Sequence, residues 1–195
     1  FPFSPEFYYY KALALLNENK HNLCLESLLK GKDLIVDNDT LLSDFYSIIG
    51  DCYHYLENNK SSDDAYTESL KYNNQNTFVL NNYSYYLSQR RENLPLAKEM
   101  IEECIQLTLE TPNASFIDTY AWVLYQLKEY NLAKEQIQKA LLLNTNSAVI
   151  IEHYGDILYK LGDKKEAVVQ WEKAYQLDKT NLILKEKINT QTPNE

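Results

Sequence analysis

Small side chains recur along this chain in triplets whose spacing barely changes, and that recurrence limits the available folds more than any other feature. Five triplets follow one another: Ala12, Cys24 and Gly31; Gly50, Ser62 and Ser69; Ser84, Ala97 and Cys104; Ala121, Ala133 and Ala140; Gly155, Ala167 and Ala174. Within a triplet the first step is 12 residues (13 in the third) and the second is always 7. From one triplet to the next the chain advances 38, 34, 37 and 34 residues. Such a repeat predicts stacked antiparallel helix pairs, because only a small side chain fits where two helix axes come closest. The extra residues fall where loops absorb them, at 35–40, 91–94 and 108–113.

Bulky residues stand at fixed offsets from the small ones. Leu15, Tyr53, Leu87, Leu124 and Leu158 follow the first small position by three, and Leu28, Tyr66, Ile101, Ile137 and Trp171 follow the second by four. Both offsets place the pair on one helical face. With only four glycines and five prolines there is little material for hairpins. Ser4 before Pro5 reads as a capped helix start, and Asp163 with Glu166 as a capping box after the turn at Leu161-Gly162-Asp163. A last helix is expected over 181–188, turning Leu182, Leu184 and Ile188 inward and Lys185, Glu186 and Lys187 toward solvent, before a frayed tail at 190–195. Tyr53, Tyr66, Tyr83, Tyr120 and Tyr154 are assigned to the core.

Tyr120-Ala121-Trp122-Val123-Leu124-Tyr125 and Tyr154-Gly155-Asp156-Ile157-Leu158-Tyr159-Lys160-Leu161-Gly162-Asp163 resemble the tetratricopeptide repeat family, and Tyr83-Ser84-Tyr85-Tyr86-Leu87 repeats the theme. The third to fifth units, with Asp118-Thr119-Tyr120-Ala121-Trp122, are similar to tandem repeats of many bacterial members. The resemblance covers about residues 5–178. It implies an all-α superhelix, a tetratricopeptide solenoid in one domain over 1–195, with repeats at about 5–38, 43–76, 77–113, 114–147 and 148–179 and a capping helix at 180–189. Most units depart from the family in lacking its closing proline, having Asn74, Thr145 and Lys179 near that point. The first unit fits least well.

In a solenoid of this kind the first helix of each pair lines the inner surface. One residue beyond the packing stripe, about 100° around the helix, lies a second stripe that should face the groove. Across the five units that stripe supplies Tyr9; Asp51 and His54; Asn81 and Tyr85; Asp118, Trp122 and Tyr125; and Glu152, Asp156 and Tyr159. The expected groove is therefore aromatic and acidic. Aromatic anchors with polar tips and a carboxylate wall would suit a protein or peptide partner with basic or aromatic residues. The carboxylate-binding clamp of co-chaperone members is not expected, since acids stand where it needs Lys and Arg.

Other functions are disfavoured by composition and spacing. A net charge of −9 with a pI near 4.9 argues against nucleic acid, because affinity there rests on Lys and Arg displacing counterions. No apolar run reaches membrane-spanning length. Cys24, Cys52 and Cys104 form no CxxC spacing, and His21, His54 and His153 fall in different units, so neither a metal nor a cofactor is expected. No phosphate loop or nucleophile motif suggests catalysis. The reading is a non-catalytic binding scaffold. Its rival is a self-associating or spacer module, for which the apolar Phe1-Pro2-Phe3 start could dock elsewhere. The compartment is not legible.

Overall fold

The computed structural model describes residues 4–193, which form eleven helices and no strand. The chain divides into two compact units, one running through Val79 and the other starting at Leu80. In the first, α1 (Pro5–Asn17) pairs with α2 (His21–Lys32), and α3 (Asp39–Tyr55) with α4 (Asn59–Tyr72). Helix α5 (Thr77–Arg90) straddles the division. The second unit continues with α6 (Leu94–Leu107), the pair α7 (Ala114–Gln126) and α8 (Tyr130–Leu143), the pair α9 (Ala148–Lys160) and α10 (Lys164–Leu177), and α11 (Leu182–Thr190).

All fifteen small positions are buried. The glycines show why size matters there. A Cβ added to Gly50 would stand 2.6 Å from the Tyr66 ring, and one on Gly155 would stand 2.5 Å from Nε1 of Trp171. Both aromatic rings are fully buried. They occupy the place that Leu28 and Ile137 take in other repeats, where the first small residue is Ala12 or Ala121. A ring is thus matched by glycine, and an aliphatic side chain by alanine. Where the small residue is serine, its hydroxyl is satisfied: Ser62 donates to the Gly50 carbonyl at 2.9 Å, and Ser69 to the Ser43 carbonyl at 2.7 Å.

The connections repeat as well. Each turn inside a pair passes through one left-handed residue: Asn19, Glu57, Lys128 and Gly162, with φ of 56°, 58°, 65° and 93°. The turn between α5 and α6 uses two, Arg91 at 57° and Asn93 at 40°, and so absorbs its additional residue. Between pairs, an Asx turn stands where the family has proline. The side chains of Asn73, Asn144 and Asp178 accept from the amides of Gln75, Asn146 and Thr180 at 3.1, 3.2 and 3.0 Å. The Thr180 hydroxyl and the amides nearby hold the Asp178 carboxyl below its ordinary range.

Local expectations met mixed outcomes. Ser4 caps α1, accepting from the Phe7 amide at 3.3 Å. Asp163 caps α10 through the Glu166 amide, but the box is only half formed. Its reciprocal bond is absent because the Asp163 amide reaches Leu158 and the Glu166 carboxylate takes Gln170. Helix α11 buries Leu184 and half-buries Ile188, whereas Leu182 is 75% exposed. Lys187, expected in solvent, is buried at 4% exposure, because two carboxylates wait beneath it. Thr190 belongs to α11, and the expected docking segment Phe1-Pro2-Phe3 lies outside the described residues.

Size matching between Gly155 and Trp171 can be tested by exchange. Gly155→Ala should lower unfolding free energy by about 2 kcal/mol, since the ring is held by packing and a hydrogen bond and cannot retreat freely. Adding Trp171→Ile, which recreates the Ala121–Ile137 pairing, should recover part of that loss in urea unfolding monitored by circular dichroism.

Candidate functional site

The stripe expected to face a groove lies on the first helix of each pair, so its residues share helices with the packing positions and compete with them for burial. Three of the stripe residues lie in the first unit. Tyr9 is half-buried against Phe45, with ring centroids 5.5 Å apart. Burial pushes its hydroxyl above the ordinary value, and the nearby Asp44 charge adds to the effect. Asp51 accepts from the Tyr66 hydroxyl at 2.6 Å, and the His54 ring meets Tyr55 edge-on.

The second unit carries the other eight. Asn81 and Tyr85 on α5 are half-buried, and burial beside Asp118 raises the Tyr85 hydroxyl. On α7, Asp118 and Tyr125 are buried at 7% and 9% exposure, while Trp122 between them is half-buried. On α9, Asp156 is buried at 2%, and Glu152 and Tyr159 are half-buried. Helices α7 and α9 are in contact, which brings these stripes together.

Most of the carboxylates are already engaged. Asp118 Oδ1 lies 2.8 Å from Nδ1 of His153, and Glu152 lies 2.7 Å from Nζ of Lys187. Both pairs span 35 residues, so one first helix ties to the next by the same acid-to-base register. Lys187 also reaches both oxygens of Asp156, at 2.9 and 2.7 Å, and the Trp171 indole donates to Asp156 at 2.9 Å. Asp51 with Tyr66 and Asp156 with Trp171 are the same contact in two repeats: the acid after each glycine accepts from the ring the glycine admits. Burial pushes the Asp156 carboxyl up, against the Lys187 charge that favours its ionised form. For His153, burial alone would lower the imidazole, yet Asp118, Asp156 and Glu152 together raise it above its ordinary value.

Sequence reasoning thus found the carboxylates and missed their partners. His153 and Lys187 were legible in principle, as a base 35 residues after Asp118 and after Glu152, but helical-face arithmetic within one repeat does not test contacts to the next.

The aromatic residues form a stack. The Trp122 ring lies 4.2 Å from His153 at 18° and 4.7 Å from Tyr125 at 8°, with Tyr130 edge-on to Tyr125. The Trp122 indole nitrogen is buried and makes no hydrogen bond. Beside the stack opens a cavity of about 520 Å³ lined by Arg91, Trp122, Tyr125, Gln126, Lys128, Tyr130 and Lys160. Arg91 and Lys128 stand there because both helix-pair turns place a left-handed residue at that edge.

Two measurements test the buried network. Lys187→Met leaves Glu152 and Asp156 facing each other without a cation and should cost about 3 kcal/mol in urea unfolding, whereas Lys187→Met with Asp156→Asn should cost less. His153, raised in the folded state, contributes stability that is complete below about 6.5, the unfolded imidazole's value, and is lost as pH rises through its folded value. Thermal midpoints should therefore favour pH 6 over pH 8.5 by more in the wild type than in His153→Gln.

A family model described as Tetratricopeptide repeat matches residues 43–76, 115–147 and 150–181, together more than half of the chain. No curated protein matches significantly by sequence. Among solved structures, Pseudomonas aeruginosa pilF is similar with a TM-score of 0.78 and 22% identity, over 96% of this chain and 88% of that one. PilW, described as a type IV pilus biogenesis factor, gives 0.82 and 12% over 96% and 85%. YrrB, described as a tetratricopeptide protein with an unusual peptide-binding site, gives 0.66 and 15% over 93% and 90%. At these identities the likeness speaks for the fold alone. The repeated helix pairs, the buried small positions and the family match agree that the chain belongs to the tetratricopeptide repeat family.

Proposed function

We propose that the chain is a non-catalytic scaffold that holds a protein or peptide partner, with Trp122 at the centre of the contact. Tetratricopeptide repeat proteins are in general protein-interaction scaffolds, and among structures of the same fold YrrB is described as having a peptide-binding site. No helix among the described residues is long and apolar enough to cross a membrane. The observation that carries the reading is the half-buried Trp122 face, braced by His153 and Tyr125. A rigid aromatic surface loses little conformational entropy on binding. Of the aromatic, acidic groove expected for basic or aromatic partners, the aromatic stack supports the reading and the carboxylates do so less. Asp118, Glu152 and Asp156 already hold a cation or an imidazole of the chain itself.

A second reading, self-association, draws on exposed apolar side chains of the second unit, Leu142 at 83%, Leu182 at 75% and Ile183 at 54%. One capture experiment separates the two. Wild type and Trp122→Ala, both shown folded by circular dichroism, would be used as bait in lysate of the source organism. Partner recovery should fall at least tenfold for the variant. Equal recovery would remove Trp122 from the contact, and recovery of only the bait's own chain would favour self-association.

A further inference from the structure

One register position of the repeat is buried everywhere except at its first occurrence. Phe45, Val79, Phe116, Ile150 and Leu184 stand at the same place on successive first helices, and none is more than 5% exposed. Phe7 holds that place on α1 and is 45% exposed. The cover over Phe45, Ile150 and Leu184 is the second helix of the preceding pair. Gly31 of α2 lies against Phe45, where an added Cβ would come within 2.8 Å of the ring. Ala140 of α8 packs with Ile150, and Ala174 of α10 with Leu184.

A hollow marks the same place. Beside Phe7 opens a cavity of about 260 Å³ whose lining includes Tyr8, Lys11, Ser27 and Lys30. Their counterparts in the fifth pair, Ile151, Tyr154, Gln170 and Lys173, line a cavity of about 480 Å³ that Leu141 of α8 also walls. All four lie 143 residues further along the chain. The two hollows are therefore one groove of the repeat, walled by α8 in the fifth pair and open on that side at α1. Leu23, 51% exposed, also lines the open one.

Charge at the open groove departs from the repeat. Four residues after the covered position, Tyr120 and Tyr154 meet a polar side chain of the preceding helix. The Tyr120 hydroxyl donates to Glu102 at 2.8 Å, and the Gln138 amide donates to the Tyr154 hydroxyl at 3.5 Å. Glu102 and Gln138 each stand two residues before a small residue, Cys104 and Ala140. On α1 that tyrosine is replaced by Lys11, which is exposed. The acid that feels its charge, Glu26, is already bonded to Lys30 at 2.5 Å. A covering helix would match Lys11 with a carboxylate two residues before its own small residue.

We propose that the α1–α2 face receives an amphipathic helix of a partner protein, packed as α8 packs on α9. Glycine or alanine would lie over Phe7, an apolar side chain would enter the cavity, and a carboxylate would meet Lys11. A second copy offers no such helix, since all fifteen small positions of this chain are buried. The contact is separate from the one at Trp122 and does not depend on it.

The probe is a blocked, fluorescein-labelled 14-residue peptide with the α8 sequence carrying Gln138→Glu and Ala140→Gly. A lactam between Glu135 and Lys139, both exposed in the protein, holds it helical. Fluorescence anisotropy with the full chain should show saturable binding. Ala140→Leu in the peptide should weaken it about tenfold by steric overlap with Phe7, and Gln138→Lys by about as much through charge. Phe7→Glu in the protein, checked by circular dichroism, should abolish binding, and Lys11→Glu should make the lysine peptide the better ligand. No saturable binding, equal binding of the three peptides, or a charge preference indifferent to Lys11→Glu overturns the proposal. Two further outcomes would assign the face to another occupant and overturn it as well. One is a dimer in light scattering that Phe7→Glu dissolves, which gives the face to a second copy. The other is much tighter peptide binding after deletion of residues 1–3, which gives it to that segment. The lysate capture with Trp122→Ala reports on the other contact alone.

Discussion

How closely two paired helices approach is decided at one residue per helix, and the rest of each unit follows from that approach. Where Gly155 faces Trp171, the absent Cβ admits an indole to the seam between α9 and α10. Once the ring is there, its N–H needs an acceptor, because an unpaired buried donor costs about 1–3 kcal/mol. The residue next to the glycine supplies it, as Asp156. A buried carboxylate then needs a cation, and Lys187 arrives from α11. Glycine, ring, acid and base form one chain of requirements. The Gly50, Asp51 and Tyr66 contact repeats its first three steps in the other unit.

The same chain explains which parts of the structure were legible in advance. The small positions could be read because the constraint on them is steric and periodic, and every one of them is buried. Helix pairs and the loops that absorb extra residues followed from the same spacing. Asn38, Asn58 and Asn113 cap α3, α4 and α7, a role that Asn at a helix start signals but that the spacing of small residues does not carry. The stripe was harder. A helical wheel says which residues share a face, but a first helix touches its own partner and the next first helix as well. Asp118 and Trp122 sit on one stripe, yet His153 buries the former and only half-covers the latter.

Lys187 is the plainest case of sequence logic being overruled. The run Lys185-Glu186-Lys187 at the end of a repeat array reads as a solvated surface, and two of its three members are exposed. The third turns inward because Glu152 lies at the 35-residue register already used by Asp118 and His153, with Asp156 one helical turn further along α9. A lysine takes that position where a further repeat would place its own first helix. The array is closed by a charge matched to the acids it covers, and the polar outer face is left to Lys185 and Glu186.

That closure bears on how charge is distributed within the second unit. Acids of α7 and α9 are turned toward bases on α9 and α11, so their field is largely cancelled inside the seam between helices. Cations at the turn edge, Arg91 and Lys128, are held by left-handed turn residues whose backbone is set by the repeat rather than by any acidic partner. A chain with excess negative charge can in this way present positive potential over a few hundred cubic ångströms, because near a cavity wall the closest charges outweigh the sum. Screening with a Debye length of about 10 Å at 0.1 M salt sharpens the contrast, since distant carboxylates fade before adjacent lysines do. Net charge therefore describes how this molecule repels its neighbours at a distance, and the turn geometry determines what it can hold at contact.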